Sequence, residues 1–120
     1  MNLWFTALFF SGMAVILITG GSGLIGHALT HALRADGHTV RWLSRRANGT
    51  DRFAWDVAKG KIDARALLDV DHVVHLAGAG IADKRWSSAR VKELIDSRAT
   101  SARLLLNAMR DRSITPKSFI

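Results

Sequence analysis

The chain contains no cysteine and no tyrosine, and a single proline among 120 residues. Without cysteine there can be no disulfide and no thiolate-ligated zinc, which suits a reducing, cytoplasmic setting. One proline against ten glycines points to long regular elements joined by glycine-rich turns. No apolar run is long and unbroken enough to read as a spanning helix. Met1 to Ile18 is largely apolar, but Ser11-Gly12 interrupts it well short of the ~20 residues a span requires. No basic residue precedes that run, as one would in a secretory signal. The segment divides into an apolar extension (1–12) and a strand beginning just after Met13, itself a natural start. A membrane role is therefore not the expectation, although a tag, an upstream start and an anchor stay open for the extension.

Hydrophobic residues make up 48% of the chain and charged ones 22%, the balance of a globular domain. The formal net charge of +7 could serve nucleic acid, a membrane surface or an anionic small ligand. The basic residues, among them Arg34, Arg41, Arg45-Arg46, Lys84-Arg85 and Arg110, are scattered, with no aromatic residues interleaved as base-stacking platforms. Nucleic acid is accordingly not an expected partner, and an anionic small molecule is.

Ala14 to Thr19 is a short apolar run ending in glycines, the pattern of a strand buried on both faces. Leu24, Ile25, Ala28, Leu29, Ala32 and Leu33 follow at helical spacing, with Gly37 as the C-terminal cap and Arg34 in the last turn. Thr39 to Leu43 reads as a second strand, Phe53-Ala54-Trp55 as a third, and Val70 to Leu76 as another. Asp63 caps a short helix to Leu68. Ser87 or Ser88 caps a long one running through Leu94, Leu105 and Met109. Thr115-Pro116 breaks the chain before a last strand opening at Ser118. Alternation of this kind predicts an α/β architecture, a doubly wound parallel sheet of Rossmann type with helices on both faces, over residues 13–120.

Gly20, Gly23 and Gly26 fall in the spacing G-x-x-G-x-x-G between the first strand and the first helix. Gly20 permits the tight turn out of the strand, Gly23 lets a pyrophosphate approach the backbone, and Gly26 lets the helix pack closely on the sheet. A helix beginning near Ser22 would aim its free N–H groups at the phosphates. A tight turn with no ligand would use the same glycines. NAD-binding units place an acidic residue about 20 residues beyond the glycines, where it bonds the ribose 2′-hydroxyl. Arg45 and Arg46 stand there instead, and arginine forks suit the 2′-phosphate of NADP. Two solvated loop arginines would look the same.

Together these residues resemble the extended short-chain dehydrogenase/reductase superfamily. Thr19-Gly20-x-x-Gly23-x-x-Gly26 is similar to its glycine motif, and His75-Leu76-Ala77-Gly78 to its later Asn-Ala-Ala-Gly motif. Ile81-Ala82-Asp83-Lys84-Arg85-Trp86 and Ser97-Arg98 resemble a subfamily of bacterial NAD-dependent epimerase/dehydratase, or sugar-nucleotide epimerase, proteins with a mammalian counterpart. The resemblance covers Ala14 to Ile120. It implies that Gly20, Ser22, Gly23, Leu24 and Ile25 line the pyrophosphate, with Arg45 on the 2′-phosphate and Ser44 and Arg46 nearby. Trp55 and Asp56 would lie near the adenine, although Trp55 could equally be a core aromatic and Asp56 a turn residue. Leu76, Ala77 and Gly78 would contact the nicotinamide ribose. It implies a structural place for His75 rather than an acid–base one. Asp83 to Trp86 would lie on a loop open to an anionic substrate or to solvent.

Such proteins act through a Ser/Thr and a Tyr-x-x-x-Lys pair beyond the next strand, and this chain contains no tyrosine. No catalytic residue is therefore assigned. The expected function is that of an NADP(H)-binding N-terminal portion, NAD(H) being less favoured. The parent would be an oxidoreductase or epimerase transferring hydride at a carbinol or carbonyl carbon, a nucleotide sugar being one candidate substrate. A non-catalytic NADP(H)-binding or regulatory module is the alternative. Half a sheet would also leave an edge open to a second copy of the chain.

Overall fold

A computed structural model describes residues 13–47, 49–77 and 87–120. The apolar extension, Gly78 and the loop carrying Asp83 to Trp86 lie outside the described residues. In chain order the elements are β1 (Val15–Thr19), α1 (Leu24–Ala35), β2 (Thr39–Ser44), β3 (Arg52–Asp56), β4 (Lys61–Ile62), a 3-10 turn (Ala64–Leu67), β5 (His72–His75), α2 (Ser88–Asp111) and β6 (Ser118–Phe119). The described strands form one six-stranded sheet in the order β4-β3-β2-β1-β5-β6. β1 pairs in parallel with β2 on one side and β5 on the other, and β2–β3 and β5–β6 are also parallel. β4 is antiparallel to β3, a short edge that the sequence pattern did not announce.

β1 is central, and Ile16, Leu17, Ile18 and Thr19 are fully buried. Strand alternation sends Ile16 and Ile18 to one face and Leu17 to the other. On the first face they meet Leu29 and Leu33 of α1, with Val40, Trp42 and Val74. On the second, Leu17 meets Leu43, Trp55, Val73, the 3-10 turn through Ala66 and Leu67, and α2 through Leu105, Ala108 and Met109. Helical structure covers both faces, so the sheet is doubly wound.

Local signals account for the element ends. Ser87 caps α2 by accepting a hydrogen bond from the Arg90 amide at 3.1 Å. Asp63 caps the segment after β4 by accepting from the Arg65 amide at 3.0 Å. That segment closes as a 3-10 turn rather than an α-helix, since only four residues separate Asp63 from Leu68. At the end of α1, Gly37 takes a φ of +90°, its N–H bonds Arg34 O, and the His38 N–H bonds Leu33 O. This is a Schellman closure, which favours glycine because of that φ.

The chain leaves β1 toward β2 and β3 in one direction, then returns to β5 and β6 in the other. The strand order therefore reverses between β1 and β5, where open α/β sheets form a crevice at their C-terminal ends.

Candidate functional site

The crevice is built on the turn after β1. Gly20 adopts a φ of +72°, and a Cβ there would lie 2.9 Å from Ala77 N and Leu76 C, so residue 20 is glycine for two reasons. The Gly23 amide closes the turn onto Gly20 O at 3.2 Å, and Gly23 O accepts from the His27 amide at 2.9 Å. A Cβ on Gly23 would meet only Gly20 O, at 3.5 Å, which leaves its outer side open to an approaching group.

α1 starts at Leu24 with Gly23 as its cap, two residues after Ser22, which stays in the exposed turn. Gly23 supplies no capping side chain to the first-turn amides, and no acidic residue stands in that turn. Free N–H groups and the positive end of the helix dipole together favour an anion there. Gly26 is buried, but a Cβ on it would lie 2.6 Å from Gly20 O and Gly21 Cα. Its small size serves the close contact of the helix with the turn that leaves β1.

Gly20, Gly21, Ser22, Leu43, Ser44, Arg45, Trp55, Val57, Ala77, Ser97 and Ser101 surround a cavity of about 430 Å³. Arg45 is the one charged side chain among these described lining residues, and no carboxylate joins it. A second cavity of about 660 Å³ shares Arg45, Trp55 and Val57 with the first and adds Asp56, Lys61, Ile62 and Asp63. Both volumes lie in the range of small-molecule sites.

The candidate residues thus fall into groups. Gly20, Ser22, Ser44, Arg45, Trp55 and Ala77 come together around the first cavity, although the chain separates them by up to 57 residues (77 − 20). Asp56 borders the second, and its Oδ1 also accepts the Lys59 amide at 3.1 Å, so it shapes the turn as well. Trp55 is buried in the core cluster while also lining both cavities. Arg46 is exposed beside Arg45, and its carbonyl accepts the Ser44 hydroxyl. The Leu24 and Ile25 side chains are 90% and 67% exposed and line neither cavity. Any contribution from these two residues to the crevice comes through their backbone amides. Leu76 packs against the α1 side of the core, its N–H bonded to Thr19 O at 3.0 Å.

His75 sits under the crevice and is half-buried. Its Nδ1 lies 2.7 Å from Thr19 Oγ1 and its Nε2 3.0 Å from Ser101 Oγ. Burial pushes its pKa below the ordinary value, more than the Arg98 backbone raises it. A neutral ring bonded on both sides is a structural tie between β1, β5 and α2.

Gly21, Leu43, Val57, Ser97 and Ser101 were not singled out as lining residues. A signal for Ser101 was present. It stands between Leu94 and Leu105 on the buried face of α2, and a polar residue at such a position marks something other than packing.

A model of the NAD dependent epimerase/dehydratase family matches residues 16–120. An epimerase family protein of Mycobacterium bovis is 47% identical over 102 residues, which are 84% of this chain and 34% of that protein. The crystal structure of the human epimerase family protein SDR39U1 (isoform 2) with NADPH superposes with a TM-score of 0.67 at 36% identity, over 88% of this chain and 35% of that one. The UDP-N-acetylglucosamine 4-epimerase of Bacillus cereus superposes with a TM-score of 0.63 at 27% identity, over 85% of this chain and 33% of that one. The chain spans about a third of the length of the curated relatives it matches.

Proposed function

The chain belongs to the NAD dependent epimerase/dehydratase family, and from that premise we propose that its crevice binds a nicotinamide dinucleotide, NADP(H) in preference to NAD(H). The observation that carries the preference is the position of Arg45. It borders both the cavity of the glycine turn and the cavity of Trp55 and Asp56, and no carboxylate is among the described residues lining the first. A ribose 2′-phosphate on the glycine-turn side of Arg45 would meet a guanidinium, whereas a 2′-hydroxyl there would face a described lining without a carboxylate acceptor. The human relative crystallised with NADPH supports the same choice.

Gly20, Ser22 and Gly23, with the first-turn amides of Leu24, Ile25 and Gly26, hold the pyrophosphate. Arg45 holds the 2′-phosphate, flanked by Ser44 and Arg46. Trp55 and Asp56 border the adenine, and Leu76, Ala77 and Gly78 border the nicotinamide ribose. When bound, the dinucleotide supplies hydride transfer, while these residues bind and orient it. Residues 13–120 are its binding unit, and a cytoplasmic location suits a unit without cysteine.

For the whole protein we propose an oxidoreductase or epimerase acting by hydride transfer at a carbinol or carbonyl carbon of a nucleotide sugar. The likeness to an enzyme epimerising UDP-N-acetylglucosamine supports that substrate class. The proposal is tested by calorimetric titration with NADPH and NADH in parallel. NADPH is expected to bind at least about tenfold more tightly, equivalent to ~1.4 kcal/mol. Equal affinities would contradict the preference, and no binding of either would contradict the site.

A further inference from the structure

The second residue of the glycine turn lies outside the G-x-x-G-x-x-G spacing, yet it is glycine and it is buried. A Cβ on Gly21 would lie 2.5 Å from Cε2 of Trp42 and 2.6 Å from its Cδ2 and Nε1. The indole therefore lies flush against the backbone of the turn. Trp42 is 5% exposed, and its Nε1–H donates to Thr30 Oγ1 of α1 at 2.8 Å. The Arg52 guanidinium carbon stands 4.4 Å from the indole ring centroid, and the His27 ring packs 5.3 Å away, tilted. β2, β3 and α1 thus each hold the indole at a different point.

We propose that Trp42 is a positioning residue for the dinucleotide. Its indole forms the floor on which residues 20–23 are moulded, and it makes glycine obligatory at position 21. The ligand half of this statement rests on the reading of the crevice given above. A turn of three glycines in four residues carries a large conformational entropy, and the Gly23 N to Gly20 O bond ties its two ends. A rigid floor removes alternative turn conformations before a ligand arrives, so the amides are already aimed. Trp42 lines neither cavity and acts only through Gly21 and the turn.

The test is a double-mutant cycle of Gly21→Ala and Trp42→Leu, read by NADPH titration at a temperature where every variant is folded. Gly21→Ala alone is expected to weaken NADPH binding about tenfold or more, because the new methyl meets the indole. In the Trp42→Leu background, where the methyl has room, the same change is expected to cost less than about threefold. An unchanged penalty in that background would overturn the proposal. Should Trp42→Leu fail to fold, Trp42→Phe keeps most of the buried ring while removing the indole edge, and the same comparison applies.

Hydrogen exchange provides a readout independent of the cofactor. In Trp42→Leu or Trp42→Phe, the amides of residues 21–23 are expected to exchange faster while those of β1 stay protected. Unchanged turn exchange, or equal loss of protection along β1, would overturn the floor. A wild type that binds neither dinucleotide would overturn the cofactor reading and its ligand half, and exchange alone would then decide whether the indole shapes the turn.

Discussion

Thr19 Oγ1 and His75 Nδ1 lie 2.7 Å apart, joining the last residues of β1 and β5 beneath the crevice. The direction of the proton follows from their neighbours. Thr19 Oγ1 accepts the Ala77 amide at 3.1 Å, and because the Ser101 hydroxyl donates to a backbone carbonyl and must accept from His75 Nε2–H, Nδ1 of the neutral ring takes the Thr19 hydrogen. The Nε2–H then donates to Ser101 Oγ at 3.0 Å, and Ser101 Oγ–H donates to Ser97 O at 2.8 Å. Each hydroxyl gives its one proton, and the ring is the neutral Nε2–H tautomer. Protonation would put a second donor against Thr19 and leave the threonine hydrogen without its acceptor.

The pH dependence of stability has a definite sign. His75 has a folded pKa below its unfolded value near 6.5, chiefly through burial. The unfolded chain therefore binds more protons, and stability rises with pH in that range. The contribution is complete above about pH 6.5 and declines as pH falls through the folded pKa. His72, also lowered by burial, adds in the same direction. Urea midpoints at pH 7.5 and 5.5 are expected to differ, and His75→Gln is expected to shrink but not abolish the difference. An undiminished difference in His75→Gln would contradict the account.

Two glycines with left-handed φ provide an internal control. Gly20→Ala meets Ala77 N and Leu76 C at 2.9 Å, and these backbone atoms are held by the bonds from Leu76 and Ala77 to Thr19. A loss of about 3 kcal/mol is expected, from the strained φ and the clash together. Gly37→Ala has a similar φ, and nothing lies within 4 Å of the new methyl, so about 1 kcal/mol is expected. Denaturant unfolding of both variants measures the gap.

Asp71 ties the start of β1 to the β6 side of the sheet. Its Oδ2 accepts the Val15 amide at 2.9 Å, and its Oδ1 stands 3.6 Å from Lys117 Nζ. The Val15 amide, more than Lys117, holds its carboxyl below the usual range, against a smaller effect of burial. That stability is present above the unfolded pKa near 3.9 and is lost as pH falls through the lower folded value. Asp71→Asn is expected to cost about 1 kcal/mol at neutral pH and to flatten the acid limb of the stability profile.

Much of this was legible in the sequence where a local rule suffices. The glycine spacing located the turn, Ser87 and Asp63 announced their caps, and the apolar run before Thr19 announced the central strand. Arg45 could be placed beside the turn because parallel strands put residues after β1 and β2 at the same end of the sheet. β4 was not legible, since two residues are too few for periodicity to register. Nor was the seat of Gly21 on Trp42. That contact depends on the stagger of β2 against β1, which brings position 42 beside Ile18, three residues before Gly21 in the chain. The Thr19–His75–Ser101 chain joins residues up to 82 apart (101 − 19), and only the packing of α2 on the sheet assembles it.

The central claim is that Arg45 selects the cofactor, and the most direct measurement compares NADPH and NADH affinities in wild type and Arg45→Asp. Arg45→Asp is predicted to weaken NADPH at least about tenfold, since a carboxylate would face the 2′-phosphate. NADH is predicted to change little or to bind more tightly. An equal loss for both dinucleotides would contradict the account.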